Sequence, residues 1–240
     1  MNILFKMETI KEKKERKPKI LLNTCFSHDT TLEIGVDEAG RGPMIGRVYT
    51  AAVILPKDSI TFNHMIMKDS KKFTSVKKIQ ETAAYIKANA IAWSVGYSTE
   101  QVIDDVNIRN ATHRAMHEAI RGVINSLTND PHQYHLLVDG NDFTPFISVS
   151  KEHGFIQVPS TCIESGDNKY SSIAAASILA KVTRDTYIEE LCKENPILDE
   201  RYGLLKNKGY GTKKHMDGIK EHGISEFHRK TFGICKQFSA

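Results

Sequence analysis

The stretch from Leu32 to Leu55 constrains the fold of this chain more than any other. Leu32, Ile34 and Val36 alternate with Glu33, Gly35 and Asp37, the period-two pattern of a half-buried strand. The run GRGPMIG (40–46), with three glycines and a proline, breaks that strand, and Arg47–Leu55 resumes as a second β-rich run. Read together they form an antiparallel pair with Asp37 and Glu38 at the end of its first strand. Neighbouring residues on a regular strand point to opposite faces, so two carboxylates sharing one site require the strand to end or bulge there.

Further along, residues 75–89 read as a helix and Ile91–Tyr97 as a third strand with Ile91, Trp93, Val95 and Tyr97 on one face. A long helix follows at about 107–127, with Ile108, Thr112, Ala115, Ala119 and Val123 as its apolar stripe. Tyr134–Val138 is a fourth strand running into Asp139 and Gly140, and Phe155–Val158 a short fifth. From about Ser171 to Lys193 the chain is a helix rich in alanine and serine, and the small residues Ser172 to Ser177 allow it to lie close against a sheet. This order predicts an α/β fold with a mixed five-stranded sheet flanked by helices. The expected organisation is a basic, flexible tail over 1–30 containing KEKKERKPK, a catalytic body over 31–200, and a small basic helical region over 201–240 packed on that body.

Charge is partitioned along the chain. Residues 201–240 carry nine Lys or Arg against three Asp or Glu, whereas 32–200 carry seventeen against twenty-two. An acidic body joined to a basic end suits an enzyme that holds cations and grips phosphates. The longest apolar runs, TAAVIL (50–55) and SIAAASILA (172–180), fall far short of the ~20 residues of a membrane span. The N-terminus lacks an apolar core with a small-residue cleavage site, so a cytoplasmic protein without membrane partners is expected. Cys25, Cys162, Cys192 and Cys235 form no CxxC pair and read as reduced thiols.

Carboxylates at strand ends are the chemically informative feature. Asp37 and Glu38 close the first strand, Asp139 closes the fourth, and Asp167 sits between the fifth strand and the long helix. In open α/β sheets sites gather outside strand ends, and four acids meeting there could not all ionise without cations. Hard oxygen ligands select Mg²⁺ or Mn²⁺, and two such ions ~4 Å apart clamp a phosphodiester for in-line attack by water. Taken singly, Asp139 could begin a turn at Gly140 and Asp167 could cap the helix after it. Asp185 lies four residues after Lys181, the spacing of a helical surface ion pair, and Asp69, Asp142 and Glu164 read as turn or supporting acids. His113 and His117 have the i, i+4 spacing of a metal pair. Both fall opposite the apolar stripe, on the polar face, and Arg114 stands where a HExxH box needs glutamate, which argues against zinc.

The motifs GVDEAGRGPMIG (35–46), DSKK (69–72), VDGN (138–141), GD (166–167), SIAAASILAKVTRD (172–185) and KGYGT (208–212) occur in an order that resembles ribonuclease HII over about 32–235. That resemblance implies a ribonuclease H-like fold and a divalent-metal enzyme that cleaves the RNA strand of RNA–DNA hybrids. It also implies cleavage on the 5′ side of ribonucleotides embedded in duplex DNA, leaving 3′-hydroxyl and 5′-phosphate ends, as in ribonucleotide excision repair. Asp37, Glu38, Asp139 and Asp167 match the family's catalytic and metal-binding acids. Gly40, Arg41 and Gly42 match the turn that reads the 2′-hydroxyl, and Tyr210 matches the tyrosine that packs on the sugar at an RNA-to-DNA junction. Lys71 and Lys72, with Lys206, Lys208, Lys213 and Lys214, suit phosphate contacts. Glu164, Ser165 and Gly166 precede Asp167, where many members carry a lysine immediately before the GD. The expected protein is a monomer, with a clamp-type partner open. A noncatalytic hybrid-binding module is the alternative, disfavoured because all four acids are present. A dinucleotide-binding domain is excluded because GRGPMIG lacks GxGxxG spacing and leads into a strand.

Overall fold

The protein was analysed as a computed structural model that describes residues 21–127, 131–150 and 154–238. The chain runs through β1 (Leu32–Ala39), β2 (Val48–Ile54), α1 (Val76–Asn89), β3 (Ala92–Ser98), α2 (Glu100–Asn125) and β4 (Tyr134–Asp139). It continues through β5 (Ile147–Ser150), β6 (Gly154–Gln157), β7 (Ser160–Ile163), α3 (Ser171–Glu194), α4 (Pro196–Tyr202), α5 (Leu204–Asn207) and α6 (Lys213–His222). Among the described residues no helix is long and apolar enough to cross a membrane.

Five strands form one mixed sheet in the order β3-β2-β1-β4-β7, antiparallel across β3-β2-β1 and parallel across β1-β4-β7. The alternation in β1 and β2 sends Ile34, Val36, Ala52 and Ile54 to one face, where they pack with Met116, Ala119, Ile120 and Val123 of α2. Ala51 and Val53 point the other way, against Ile79, Ala83 and Ile86 of α1 and the Ala174–Ala180 run of α3. Each large aliphatic side chain fully buried in these layers contributes roughly 1.5–3 kcal/mol. Both faces of β1 and β2 are therefore covered. Gly35 makes the closest approach: a Cβ there would stand 2.2 Å from the backbone carbon of Ser172. The small residues at the start of α3 do bring that helix onto the sheet, as their size suggested.

Several expectations are corrected. The fifth sheet strand is β7, not Phe155–Val158; that segment overlaps β6, which pairs with β5 in a separate two-stranded sheet. β7 reads STCI, a short polar edge strand with none of the apolar alternation that marks a strand in sequence. The long helix begins at Glu100, capped by the Thr99 side chain, and bends at Asn107, whose φ of 67° is non-helical. The sequence gap before 107 is thus a kink and not a loop. The polar face that carries His113 and His117 is partly covered: the segment after β4 folds over it, with Thr144 Oγ1 2.8 Å from the buried His113 Nδ1 and Thr144 O 2.8 Å from Nε2 of the partly exposed His117.

Most of the expected flexible tail, residues 1–20, lies outside the described residues. From Asn23 onward the chain is tied down. Asn23 bridges to Tyr170, and the buried Glu33 carboxylate accepts the Phe26 and Ser27 amides at 2.8 and 2.7 Å with Lys57 Nζ at 3.3 Å. A short polar segment lacks the spacing that announces docking, so the anchor is legible only in three dimensions. The C-terminal region is helical and packs on the body through Met44, Ile45, Ile188, Leu198, Tyr202, Leu204 and Ile219.

Candidate active site

The acids at the end of β1 share a site without any bulge. Pairing with β2 stays regular through Asp37–Ala51, Glu38–Thr50 and Ala39–Tyr49. What opens the site is the neighbouring strand: β1 and β4 last pair at Val36–Val138, and β4 ends one residue later, at Asp139. Beyond that point β1 has a free edge, so side chains from both of its faces can reach around it. Asp37 is buried on the α3 side, where the Ser177 hydroxyl bonds its carboxylate, and its Oδ1 accepts the Glu38 amide at 2.7 Å. Glu38 leaves the opposite face, and its Oε1 lies 3.6 Å from the Arg41 guanidinium. It borders two hollows, one of about 150 Å³ shared with Asp139 and one of about 200 Å³ shared with Gly40, Lys71 and Tyr210.

Asp167 arrives on a short 3₁₀ turn, Gly166–Asn168, entered through Ser165 in a left-handed conformation. The Gly166 amide donates to Asp139 Oδ1 at 2.6 Å, which ties the two acid-bearing segments together. Asp167 does not cap α3, whose N-cap is Tyr170. The Asn168 amide group instead donates to Asp167 Oδ1 at 2.8 Å, while Lys72 Nζ donates to the Asn168 oxygen. Asp69 caps the DSKK turn by accepting the Lys71 amide, and Ser70 Oγ lies 3.0 Å from Ser177 Oγ. The DSKK turn is thereby fastened to both Asp37 and Asp167.

Electrostatics follow from this crowding. Burial, then the Glu38 and Asp139 charges, push the Asp37 carboxyl well above its ordinary value. Burial and Asp139 also raise Glu38, against the pull of Arg41 and Lys71. Asp167 is raised by burial, Asp69 and Asp139. Burial works against the Lys71 ammonium, yet Asp69, Asp167, Asp37 and Asp139 outweigh it and raise its pKa. Burial and neighbouring carboxylates thus oppose ionisation of Asp37, Glu38 and Asp167, which Arg41 and Lys71 offset only in part. Asp185, on α3, lines the hollow that Glu38, Lys71 and Tyr210 share, but its carboxylate is taken up by Lys181 Nζ at 2.8 Å, both side chains being partly exposed.

The donors are all carboxylate oxygens, the chemistry that suits Mg²⁺ or Mn²⁺. Among the described residues no three His, Cys, Asp or Glu side chains close into a ready-made cage. That is compatible with ions that bind through one or two carboxylates and keep the rest of their shell as water and substrate phosphate. The donor set fits such ions.

Beside the acids lies a cleft walled by Gly40, Arg41 and Gly42 on one side and by Tyr210 on the other. Tyr210 is half exposed, and a Cβ on Gly42 would sit 3.4 Å from its ring, so glycine at this position leaves a narrow gap between turn and ring. Lys206, Lys213 and Lys214 are exposed, whereas Lys208 pairs with Glu189 at 2.7 Å. Sequence reasoning missed Ser177, Asn168 and Arg184. Arg184 is buried beneath the cleft, its Nη2 donating to the Lys208 carbonyl at 2.9 Å. Only Asn168 carried a local signal, its position directly after the acid of the GD pair.

A family model of ribonuclease HII matches residues 34–235. Ribonuclease HII of Parabacteroides distasonis is 46% identical over 206 residues, covering 86% of this chain and 92% of that protein. Among solved structures, the ribonuclease H2 of Pyrococcus horikoshii OT3 superposes with a TM-score of 0.65 at 25% identity, covering 86% of this chain and 96% of that one. Bst-RNase HIII in complex with Mn²⁺ shares the fold, with a TM-score of 0.58 at 16% identity over 80% of this chain and 70% of that one. A sheet whose strand ends gather four acids beside a glycine turn, and a family match that spans residues 34–235, lead to one conclusion: the chain belongs to the ribonuclease HII family.

Proposed function

We propose that Asp37, Glu38, Asp139 and Asp167 are the metal-binding acids with which this metal-dependent endoribonuclease cleaves the RNA of RNA–DNA hybrids and ribonucleotide-containing duplex DNA. The observation that carries the assignment is geometric: Asp37 and Glu38 at the free edge of β1 and Asp139 at the end of β4, tied through the Gly166 amide to the segment of Asp167, meet at one sheet end, where burial and neighbouring carboxylates oppose ionisation of Asp37, Glu38 and Asp167 and divalent cations would favour it. Mg²⁺ or Mn²⁺, two ions during catalysis, would be held by Asp37 and Asp139 as principal ligands with Glu38 and Asp167 completing the shells, and would supply an activated water and relief of the charge that develops on the phosphate. Asp139 is held to the Gly166 amide and Asp167 to Asn168, so each presents its remaining oxygen in a fixed direction. Lys71, beside the acids, and Arg41, beside Glu38, are placed to meet phosphate oxygens. Backbone groups of Gly40, Arg41 and Gly42 would read the 2′-hydroxyl, and cleavage on the 5′ side of that nucleotide would leave 3′-hydroxyl and 5′-phosphate ends. A duplex DNA carrying one ribonucleotide, incubated with Mg²⁺, Mn²⁺ or chelator, tests the whole reading. Cleavage that persists in chelator would overturn it.

The fourth acid can be checked against its rival. Asp167 is buried among the other acids, while Asp185 forms a partly exposed ion pair of a kind that contributes at most about 1 kcal/mol. Asp167→Asn should lower kcat by about a hundredfold or more, and Asp185→Asn by less than about tenfold. The reverse order would move the site.

Tyr210 should contribute to recognition and not to bond breaking. Its half-exposed ring offers a flat apolar surface next to the turn, and such stacking contributes about 1–3 kcal/mol. Tyr210→Ala is expected to lower kcat/KM on a single embedded ribonucleotide about tenfold more than on a continuous hybrid, with the metal requirement unchanged. Equal losses on the two substrates would make the tyrosine a general loop anchor.

A further inference from the structure

Two consecutive residues of the C-terminal segment reach the two walls of the reading cleft from behind. Arg229 is fully buried. Its Nε donates to the Gly46 carbonyl at 2.8 Å, Nη1 to those of Pro43 and Arg41 at 2.8 and 3.1 Å, and Nη2 to that of Gly40 at 2.7 Å. Four carbonyls of one turn therefore converge on one guanidinium, whose fork of five donors no other side chain could reproduce. The same segment is stitched to the turn through its backbone. Arg229 N donates to Met44 O and Gly46 N to Phe227 O, both at 2.8 Å, and His228 bridges to Ile45. With those carbonyls drawn inward, the amides of the exposed residues Arg41 and Gly42 make no backbone hydrogen bond among the described residues.

His228, the preceding residue, serves the other wall. The Ser225 amide donates to His228 Nδ1 at 2.9 Å, with the Ser225 hydroxyl at the same distance. An amide can only donate, so the His228 proton sits on Nε2, 3.1 Å from His215 Nε2. His215 must then accept on Nε2 and carry its own proton on Nδ1, 3.1 Å from the Tyr210 carbonyl, which can only accept. Every donor meets an acceptor with both rings neutral. Burial keeps them so, lowering His215 and, with His215 beside it, pushing His228 down to about 3.

We propose that His228 and Arg229 are the positioning unit of ribonucleotide recognition, Arg229 holding the Gly40–Gly46 turn and His228, through His215, holding Tyr210. The inference rests on the reading that this turn and this tyrosine recognise the ribonucleotide. Neither residue touches substrate. Their effect is to fix the gap between turn and ring, where displacement of about 1 Å is enough to lose a hydrogen bond to a 2′-hydroxyl.

The test is the preference for a ribonucleotide, measured with Mg²⁺ as the ratio of the inhibition constant of an all-DNA duplex to the KM of the same duplex carrying one ribonucleotide. Arg229→Lys supplies a point charge that cannot span four carbonyls, so the ratio should fall about tenfold, the loss of roughly one charge-assisted hydrogen bond. Binding of all-DNA duplex should stay within a factor of about two, and hydrogen exchange should quicken in 40–46 without spreading through the sheet. His228→Gln should lower the ratio in the wild-type background and add nothing in a Tyr210→Ala background, because it acts only through Tyr210. Should Arg229→Lys fail to fold, this cycle decides. A folded Arg229→Lys with an undiminished ratio, or additive losses for His228→Gln and Tyr210→Ala, would overturn the positioning role. A wild-type ratio near one would instead show that the cleft does not read ribonucleotides, and both readings would fall together.

Discussion

Asp37→Asn should abolish cleavage, by about a thousandfold or more in kcat, while leaving the metal-free protein at least as stable as wild type. The amide keeps the shape of the carboxylate but removes a metal ligand, and a thousandfold corresponds to about 4 kcal/mol of barrier. The stability half of the expectation comes from the sign of the pKa shift. Burial and the Glu38 and Asp139 charges raise the Asp37 carboxyl in the folded state, so at pH 7 folding forces together charges that the unfolded chain keeps apart. Stability from this group is gained as pH falls through the raised folded value toward the unfolded one, and a neutral side chain supplies the same relief at pH 7. Thermal melting in chelator, run beside single-turnover cleavage with saturating Mg²⁺, separates the alternatives. Near wild-type turnover would remove Asp37 from the site. A markedly lower Tm would mean that its carboxylate is structural.

Gly35→Ala should do the opposite, costing about 3 kcal/mol of stability and taking activity with it. The added Cβ would stand 2.2 and 2.5 Å from backbone atoms of Ser172 and Ile173, and backbone in the middle of a sheet–helix contact cannot swing aside as a side-chain tip can. α3 must lift from β1. Asp37 lies two residues further along the same face, and Ser177, which bonds it, rides on the displaced helix. The expected Tm drop is roughly 10 °C. Val36→Ala is the control. It opens a cavity on the α2 side and lowers stability, but leaves the α3 contact intact, so the folded fraction should retain kcat. A Gly35→Ala protein with wild-type Tm and kcat would show that the close approach is not needed.

Much of the architecture was legible along the chain because its signals are local. The alternation through Leu32–Val36 needs only neighbouring residues to declare a strand, and GRGPMIG declares its interruption in the same way. The Ala and Ser positions of 172–177 announced a helix that could lie close to a sheet, and α3 does so at Gly35. The acids at the ends of β1 and β4, and the one before α3, were visible from their positions at element boundaries.

Tertiary structure decided whatever depends on residues distant in sequence. Asp37 and Glu38 seemed to need β1 to end or bulge because one strand was considered alone; the termination of β4 beside it supplies the opening while β1 runs on regularly to Ala39. Helical periodicity put the histidines of α2 on the polar face, but it does not know that the segment after β4 folds over that face and buries His113. β7 joins the sheet through parallel pairing with β4, despite a sequence with no strand periodicity of its own. Arg229 read only as one more charge in a basic C-terminal end, yet it is buried against carbonyls more than 180 residues earlier. A sequence carries the periodicity and chemistry of its own neighbourhood, and these determined the strands, the helices and the candidate acids. Which carbonyls a buried guanidinium satisfies, and where a neighbouring strand stops, are set by contacts between distant segments, and those exist only once the chain has closed upon itself.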